Sequence, residues 1–119
     1  PRAVGLIYPV ISQTEGIGHA ESTLRLLGHN PSMASIVRRS PDLHVSEDTP
    51  PTFIVHAVDD PAVPLENSLL MLGALRGARR PVEAHLFERG GHGFGTGQLG
   101  QPTSEWPTLF ANWMQIHSA

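Results

Sequence analysis

Three short apolar runs, each bounded by turn-forming residues, stand out along the chain: Ala3 to Val10 (AVGLIYPV), Thr52 to Val58 (TFIVHAV) and Val82 to Phe87 (VEAHLF). Each is too short for an ordinary helix, so each predicts a β-strand. The first two are almost continuously apolar, as expected of strands covered on both faces in a parallel sheet. The third alternates, with Val82, Ala84 and Leu86 on one side and Glu83, His85 and Phe87 on the other. That pattern suits a strand near the sheet edge.

Helical periodicity fills the gaps. From Leu65 to Arg79, Leu65, Leu69, Leu72 and Leu75 recur at helical spacing, with Leu70, Met71, Ala74 and Ala78 widening the face. Pro64 precedes this stretch, where a missing backbone donor is tolerated, and Arg79 and Arg80 stand at its end, where they favour the negative end of the helix dipole. From Ser104 to His117 a second stripe runs through Trp106, Leu109, Phe110, Trp113 and Ile116, with Ser104 as its expected cap. Between the first two strands, residues 11–51 exceed what a simple crossover requires. They contain two helix-like pieces, Glu21 to Leu27 and Pro31 to Arg39, and read as a connection carrying an insertion. The order strand, helices, strand, helix, strand, helix predicts an α/β fold with a parallel sheet of about three strands, crossover helices and a C-terminal helix.

Composition narrows the function classes. With 119 residues the chain has room for one compact domain and not two. A net charge of −3 gives no attraction to phosphate backbones or anionic membranes, so neither nucleic acid nor membrane is an expected partner. No apolar stretch approaches the ~18–20 residues of a membrane span. The absence of cysteine excludes disulfides, a thiol nucleophile and thiolate metal sites, and suits a reducing cytosol without demanding it. Pro1 and Arg2 lead directly into an apolar run with no initiator methionine, the look of a fragment or a processed chain.

Candidate chemistry gathers after the second and third strands. The second runs into HAVDDPAVP, residues 56–64, and in a parallel sheet the carboxyl ends of strands form the crevice where reactive groups collect. From position alone, a turn and helix-cap role for Asp59 and Asp60 is as open as a reactive one. The third strand runs into ERGGHGFG, where His92 lies among Gly90, Gly91, Gly93 and Gly95. Glycines there let the backbone turn sharply and carry an imidazole over the strand ends. A histidine acting as general base needs a carboxylate to fix its tautomer, and adjacent strands lie only ~4.8 Å apart, so Asp60 and His92 can pair. No G-x-S-x-G occurs, and Ser12, after the first strand, lacks flanking glycines and reads as a turn or cap residue.

DTPPTFIVHAVDDPAVPLENS resembles the acid loop of α/β-hydrolase esterases, whose pattern is close to H-G-x-x-D-x-x-V-P. His56, Asp60, Val63 and Pro64 align with it, while Ala57 stands where glycine is frequent and Asp59 offers a neighbouring carboxylate. VEAHLFERGGHGFG is similar to the last strand and histidine loop of that family, LIYPVIS to the strand after the nucleophile's helix, and the segment from Trp106 to Trp113 to the last helix. The resemblance implies the C-terminal part of an α/β-hydrolase fold over residues 1–119, with a substrate-side insertion at about 11–51. It implies Asp60 as the triad acid and His92 as the base; His56 reads separately as a brace for the acid loop. Acetyl esterases and xylan- or feruloyl-directed esterases are the nearest kinds. The implied substrate is a small ester, such as an acetylated or feruloylated carbohydrate, and neither cofactor nor metal is implied. The serine and oxyanion donors would come from a missing N-terminal half, and the chain alone should not turn over esters. Two alternatives stand beside this reading: a prolyl-oligopeptidase-type peptidase fragment, and a non-catalytic fragment that self-associates through its first-strand edge.

The remaining polar residues read as structural. His19, His29, His44, His85 and His117 lack metal-ligand spacing, Trp106 and Trp113 read as core, and the pairs Arg38, Arg39 and Arg79, Arg80 as solvated helix ends.

Overall fold

A computed structural model describes residues 1–117. Three strands, β1 (Val4–Ile7), β2 (Thr52–Ala57) and β3 (Val82–Phe87), form one sheet in the order β1-β2-β3, with both pairings parallel. Four helices, α1 (Ala20–Leu27), α2 (Met33–Arg38), α3 (Glu66–Gly77) and α4 (Trp106–His117), and two 3₁₀ turns (Pro41–His44 and Pro102–Glu105) complete the described residues. The sheet aligns Ile7 with Val55, and Ala57 with Phe87, so the carboxyl ends of all three strands open on the same side.

β2 is buried at every residue because both of its faces are covered. Ile54 packs with Ile11, Met71 and Leu75 on the face carrying α3. Phe53 and Val55 pack with Trp113 on the face carrying α4, where Phe110 and Trp106 complete an aromatic layer. The alternation in β3 divides it between the two faces: Val82 and Ala84 join the α3 side, Phe87 the α4 side. Truncating a buried side chain such as Leu75 to alanine would cost ~2–5 kcal/mol.

The first strand is shorter than the apolar run. Tyr8 turns into the left-handed region at φ 38°, and Pro9, lacking an N–H, cannot extend the ladder. α3 closes two residues early in a Schellman turn: Arg79 takes φ 55°, its amide donates to the Arg76 carbonyl, and the Arg80 amide donates to that of Leu75. The Arg80 guanidinium is not simply solvated, since Nε donates to the Thr49 carbonyl at 2.6 Å. Ser104 does not cap α4. It lies in the preceding 3₁₀ turn, and its hydroxyl donates to the Gln101 carbonyl.

The long connection is pinned by a buried residue of α3. Asn67 Oδ1 accepts from the amides of Ile11 and Ser12, and its Nδ2 donates to the carbonyls of Ile17 and Pro64. Ser40 Oγ accepts from the Gln13 amide and donates to the Ile36 carbonyl. These bonds hold residues 11–17 against the first turn of α3, next to the carboxyl end of β1. Ser12 is buried here, its hydroxyl accepting from the Thr14 amide, which is a turn role.

Candidate active site

Asp60 leaves β2 in a tight turn. Its Oδ1 accepts from the amides of Ala62 and Val63, each at 2.8 Å, so the carboxylate shapes its own loop. The turn role foreseen for this residue is therefore present, whereas a helix-cap role is not: α3 has no side-chain cap. Oδ2 faces the other way and lies 2.8 Å from His92 Nδ1. The Asp60 side chain is 0% exposed while that of His92 is 36% exposed, so the pair runs from the interior to the surface. Burial alone would raise the Asp60 pKa. The hydrogen bonds from Val63, His92 and Ala62 outweigh it and hold the carboxyl below its ordinary 3.8. With Asp60 ionised, His92 carries its Nδ1 proton toward the carboxylate and keeps a lone pair on Nε2.

The loop after β3 is built to present that imidazole. Asp59 Oδ1 accepts from the amides of Gly90 and Gly91 at 2.9 and 2.8 Å, tying the histidine loop to the acid loop. Gly91 and Gly93, on either side of His92, take φ 63° and 74°. At Gly90 a Cβ would sit 2.9 Å from Thr103 Cγ2 and 3.1 Å from Ala57 Cβ, so the loop approaches β2 more closely than a side chain permits. Tyr8, at the end of β1, packs its ring against His92 with centroids 4.9 Å apart and meets the edge of Phe94 at the same distance. Trp106 Nε1 donates to the Gly95 carbonyl at 2.9 Å, fastening the far side of the loop to α4.

The structure thus brings together Asp60 and His92 and places His56 beneath the acid. Asp59, expected as a turn or cap residue or as the neighbouring carboxylate, instead binds the amides of Gly90 and Gly91. Two further residues at this site, Tyr8 and Ser68, are not singled out by the sequence pattern. Tyr8 looked like one more strand residue; the Tyr-Pro pair at the strand end was the available hint of a turn. Ser68, 2.6 Å from His56 Nδ1, lies within the leucine-periodic stretch after Pro64 without belonging to its apolar face. The histidines read as structural are dispersed: His19 caps α1, His44 contacts the Val37 carbonyl, His85 pairs with Glu83, and His117 packs on Trp113. No group of three His, Asp or Glu side chains able to hold a metal ion is found among the described residues. A cavity of about 550 Å³ lies within residues 13–36, lined by Gln13, Glu15, Thr23, Leu24, His29 and Ile36 among others, and does not include Asp60 or His92.

The sequence profile of the prolyl oligopeptidase family matches residues 23–117. The chain belongs to that family. It is 42% identical over 93 residues to endo-1,4-beta-xylanase B of Butyrivibrio fibrisolvens, a match covering 78% of this chain and 14% of that protein. It is 30% identical over 115 residues to the acetylxylan esterase of Xylanibacter ruminicola, covering 92% of this chain and 24% of the esterase. The fold superposes with a TM-score of 0.93 on the acetyl ester-xyloside bifunctional hydrolase of Caldicellulosiruptor lactoaceticus, at 40% identity, over 98% of this chain and 42% of that one. The three strands and their helices are an α/β-hydrolase arrangement, and the resemblance to esterases of that superfamily is borne out by these relatives. The chain spans less than half the length of each of them.

Proposed function

We propose that these 119 residues form the acid-and-base half of a serine ester hydrolase, in which Asp60 and His92 serve a nucleophile that lies outside the sequence given. One observation supports this reading above the others: a buried carboxylate 2.8 Å from the Nδ1 of a partly exposed histidine on the loop after β3. His92 Nε2 takes the proton of the attacking serine hydroxyl as it bonds to the ester carbonyl carbon, and then delivers it to the departing alcohol oxygen. In the second half-reaction the same nitrogen takes a proton from water and returns one to the serine. Asp60 keeps the Nδ1 proton in place and stabilises the imidazolium formed in each step. The serine is assigned elsewhere because no G-x-S-x-G occurs here and Ser12 is committed to a buried turn. The outer edge of β1 is then the natural seat for the strand that precedes it in such a sheet, in preference to a second copy of the chain.

The relatives that act on acetyl esters and xylan favour small acetylated carbohydrates as substrates, with the segment 11–51 lining the side that selects among them. The family profile favours a second reading, a peptidase using the same acid and base on an amide. Hydrolysis of p-nitrophenyl acetate, acetylated xylan and an acyl-aminoacyl anilide by the intact protein separates the two. Ester turnover that vanishes with His92→Ala and leaves the anilide untouched is expected. Preferential cleavage of the anilide would move the assignment to the peptidase, and ester turnover unchanged by His92→Ala would end both readings.

A further inference from the structure

Asp60 holds His92 with one oxygen, and that oxygen has a second partner. On the side of β2 facing α3, the imidazole of His56 is wholly buried between Ser68 and Asp60. Its Nε2 lies 3.2 Å from Asp60 Oδ2 and 3.0 Å from the Val63 carbonyl oxygen. Both neighbours accept only, so Nε2 carries a proton and shares it between them. Its Nδ1 lies 2.6 Å from Ser68 Oγ, which supplies the O–H that the lone pair of a neutral imidazole requires. Ser68, His56, Asp60 and His92 therefore form one continuous chain of hydrogen bonds from the interior to the surface.

We propose that His56 is a positioning residue for the acid: held in place by Ser68, with its proton kept on Nε2 by the acceptors there, it fixes the rotation of the Asp60 carboxylate and so aims Oδ2 at His92. The inference rests on the reading of Asp60 and His92 as acid and base. A carboxylate offers about four lone-pair positions, and the two backbone amides, His92 and His56 fill them. The last torsion of an aspartate is intrinsically broad, so its angle is set by partners and not by a rotamer well. The amides of Ala62 and Val63 hold Oδ1, but one oxygen alone leaves the other free to swing. His56 removes that freedom from below while His92 meets Oδ2 from above. Val63 closes the arrangement, its amide on the acid and its carbonyl on His56. Were the His56 proton on Nδ1, Nε2 would present a lone pair to two oxygens, and the acid would be pushed out of line. The Asp60 carboxylate and the Val63 carbonyl, which can only accept, exclude that tautomer, and the Ser68 hydroxyl turns its O–H to the bare Nδ1.

The test is steady-state hydrolysis of p-nitrophenyl acetate by the intact protein bearing His56→Phe or His56→Gln, alongside Asp60→Asn and His92→Ala. Imidazole ¹⁵N spectra of the unsubstituted protein accompany it. His56→Phe keeps the ring volume and loses the donor, and is expected to lower kcat about 10- to 100-fold, the range for one lost charge-assisted hydrogen bond, with KM within about twofold. His56→Gln offers an N–H in the same direction and is expected to recover most of that loss. The spectra should show His56 protonated on Nε2 and bare on Nδ1. A folded His56→Phe variant with parental kcat, a glutamine variant as slow as the phenylalanine one, or a His56 proton found on Nδ1 would each overturn the proposal. If Asp60→Asn and His92→Ala also keep full activity, the acid–base reading falls first and takes this one with it. If they lose activity while His56→Phe does not, only the role of His56 fails. The spectra decide the tautomer even where a variant does not fold.

Discussion

Replacing Asp60 by asparagine preserves the shape of the side chain and removes one acceptor. Four N–H groups converge on the carboxylate: the amides of Ala62 and Val63 on Oδ1, and His92 Nδ1 and His56 Nε2 on Oδ2. An amide side chain has a single oxygen, so its NH₂ must confront two of these donors whichever way it turns. The backbone amides cannot change, and they take the oxygen. The NH₂ then faces the two imidazoles, and His92 has to present a lone pair at Nδ1 and move its proton to Nε2. In that tautomer Nε2 already carries the proton and cannot accept one from a nucleophile. The same exchange in a serine-protease triad lowers kcat by ~10⁴, and the shared tautomer constraint predicts a loss of that order here. The assay is the initial rate of p-nitrophenyl acetate hydrolysis by the intact protein at neutral pH, with circular dichroism to verify the fold. Asp59→Asn is the control. Among the described residues Asp59 serves the amides of Gly90 and Gly91, and asparagine keeps a carbonyl oxygen for them, so the loss should stay within about tenfold. A folded Asp60→Asn variant retaining more than a tenth of the parental kcat would refute the reasoning. So would an Asp59→Asn variant that is the more damaged of the two.

Other consequences concern the loops and the pH response. Asp59→Ala leaves the Gly90 and Gly91 amides without their acceptor, and their hydrogen exchange should accelerate by about tenfold while the amides of β2 keep their protection; unchanged rates would mean the loop is held by other contacts. Asn67→Ala strips the buried amides of Ile11 and Ser12 of their shared acceptor and should cost ~3 kcal/mol in urea unfolding, against less than 1 if residues 11–17 are held elsewhere. Because the folded state lowers the Asp60 pKa from 3.8, its ionised form stabilises the protein above that value, and the contribution is lost as pH falls through the lower, folded-state pKa. The melting-temperature gap between the parent and Asp60→Asn should therefore be widest at neutral pH and shrink below about pH 4; a gap that grows on acidification would contradict the lowered pKa.

Most of the architecture was legible because the two hydrophobic periods are clean. The near-continuous run at Thr52 to Ala57 marks a strand covered on both faces, and the leucine spacing after Pro64 marks the helix that covers one of them. Chain order and strand ends then suffice to bring Asp60 and His92 together, since parallel strands deliver both loops to one side. Hydropathy does not encode backbone angles at single residues, so it misses the left-handed Tyr8 and Arg79 that end β1 and α3 early. It also treats Asp59 and Asp60 alike. What separates them is direction: one side chain reaches the glycine amides of the next loop, while the other turns inward between two imidazoles. Asn67 and Ser68 carry opposite duties for the same reason. Adjacent helical positions point about 100° apart, one toward the segment after β1 and the other toward β2. A polar residue buried on an apolar helix is visible only once its partners, tens of residues away in sequence, are in place.

The central claim, that Asp60 and His92 serve a serine outside these residues, is tested most directly by covalent labelling. An organophosphorus ester that phosphorylates activated serines is added to the 119-residue chain and to the intact protein, with and without His92→Ala, and the adducts are located by peptide mass. The account predicts one adduct in the intact protein, on a serine beyond the sequence given, lost when His92 is replaced, and none in the chain alone. A His92-dependent adduct on any serine within residues 1–119 would contradict it.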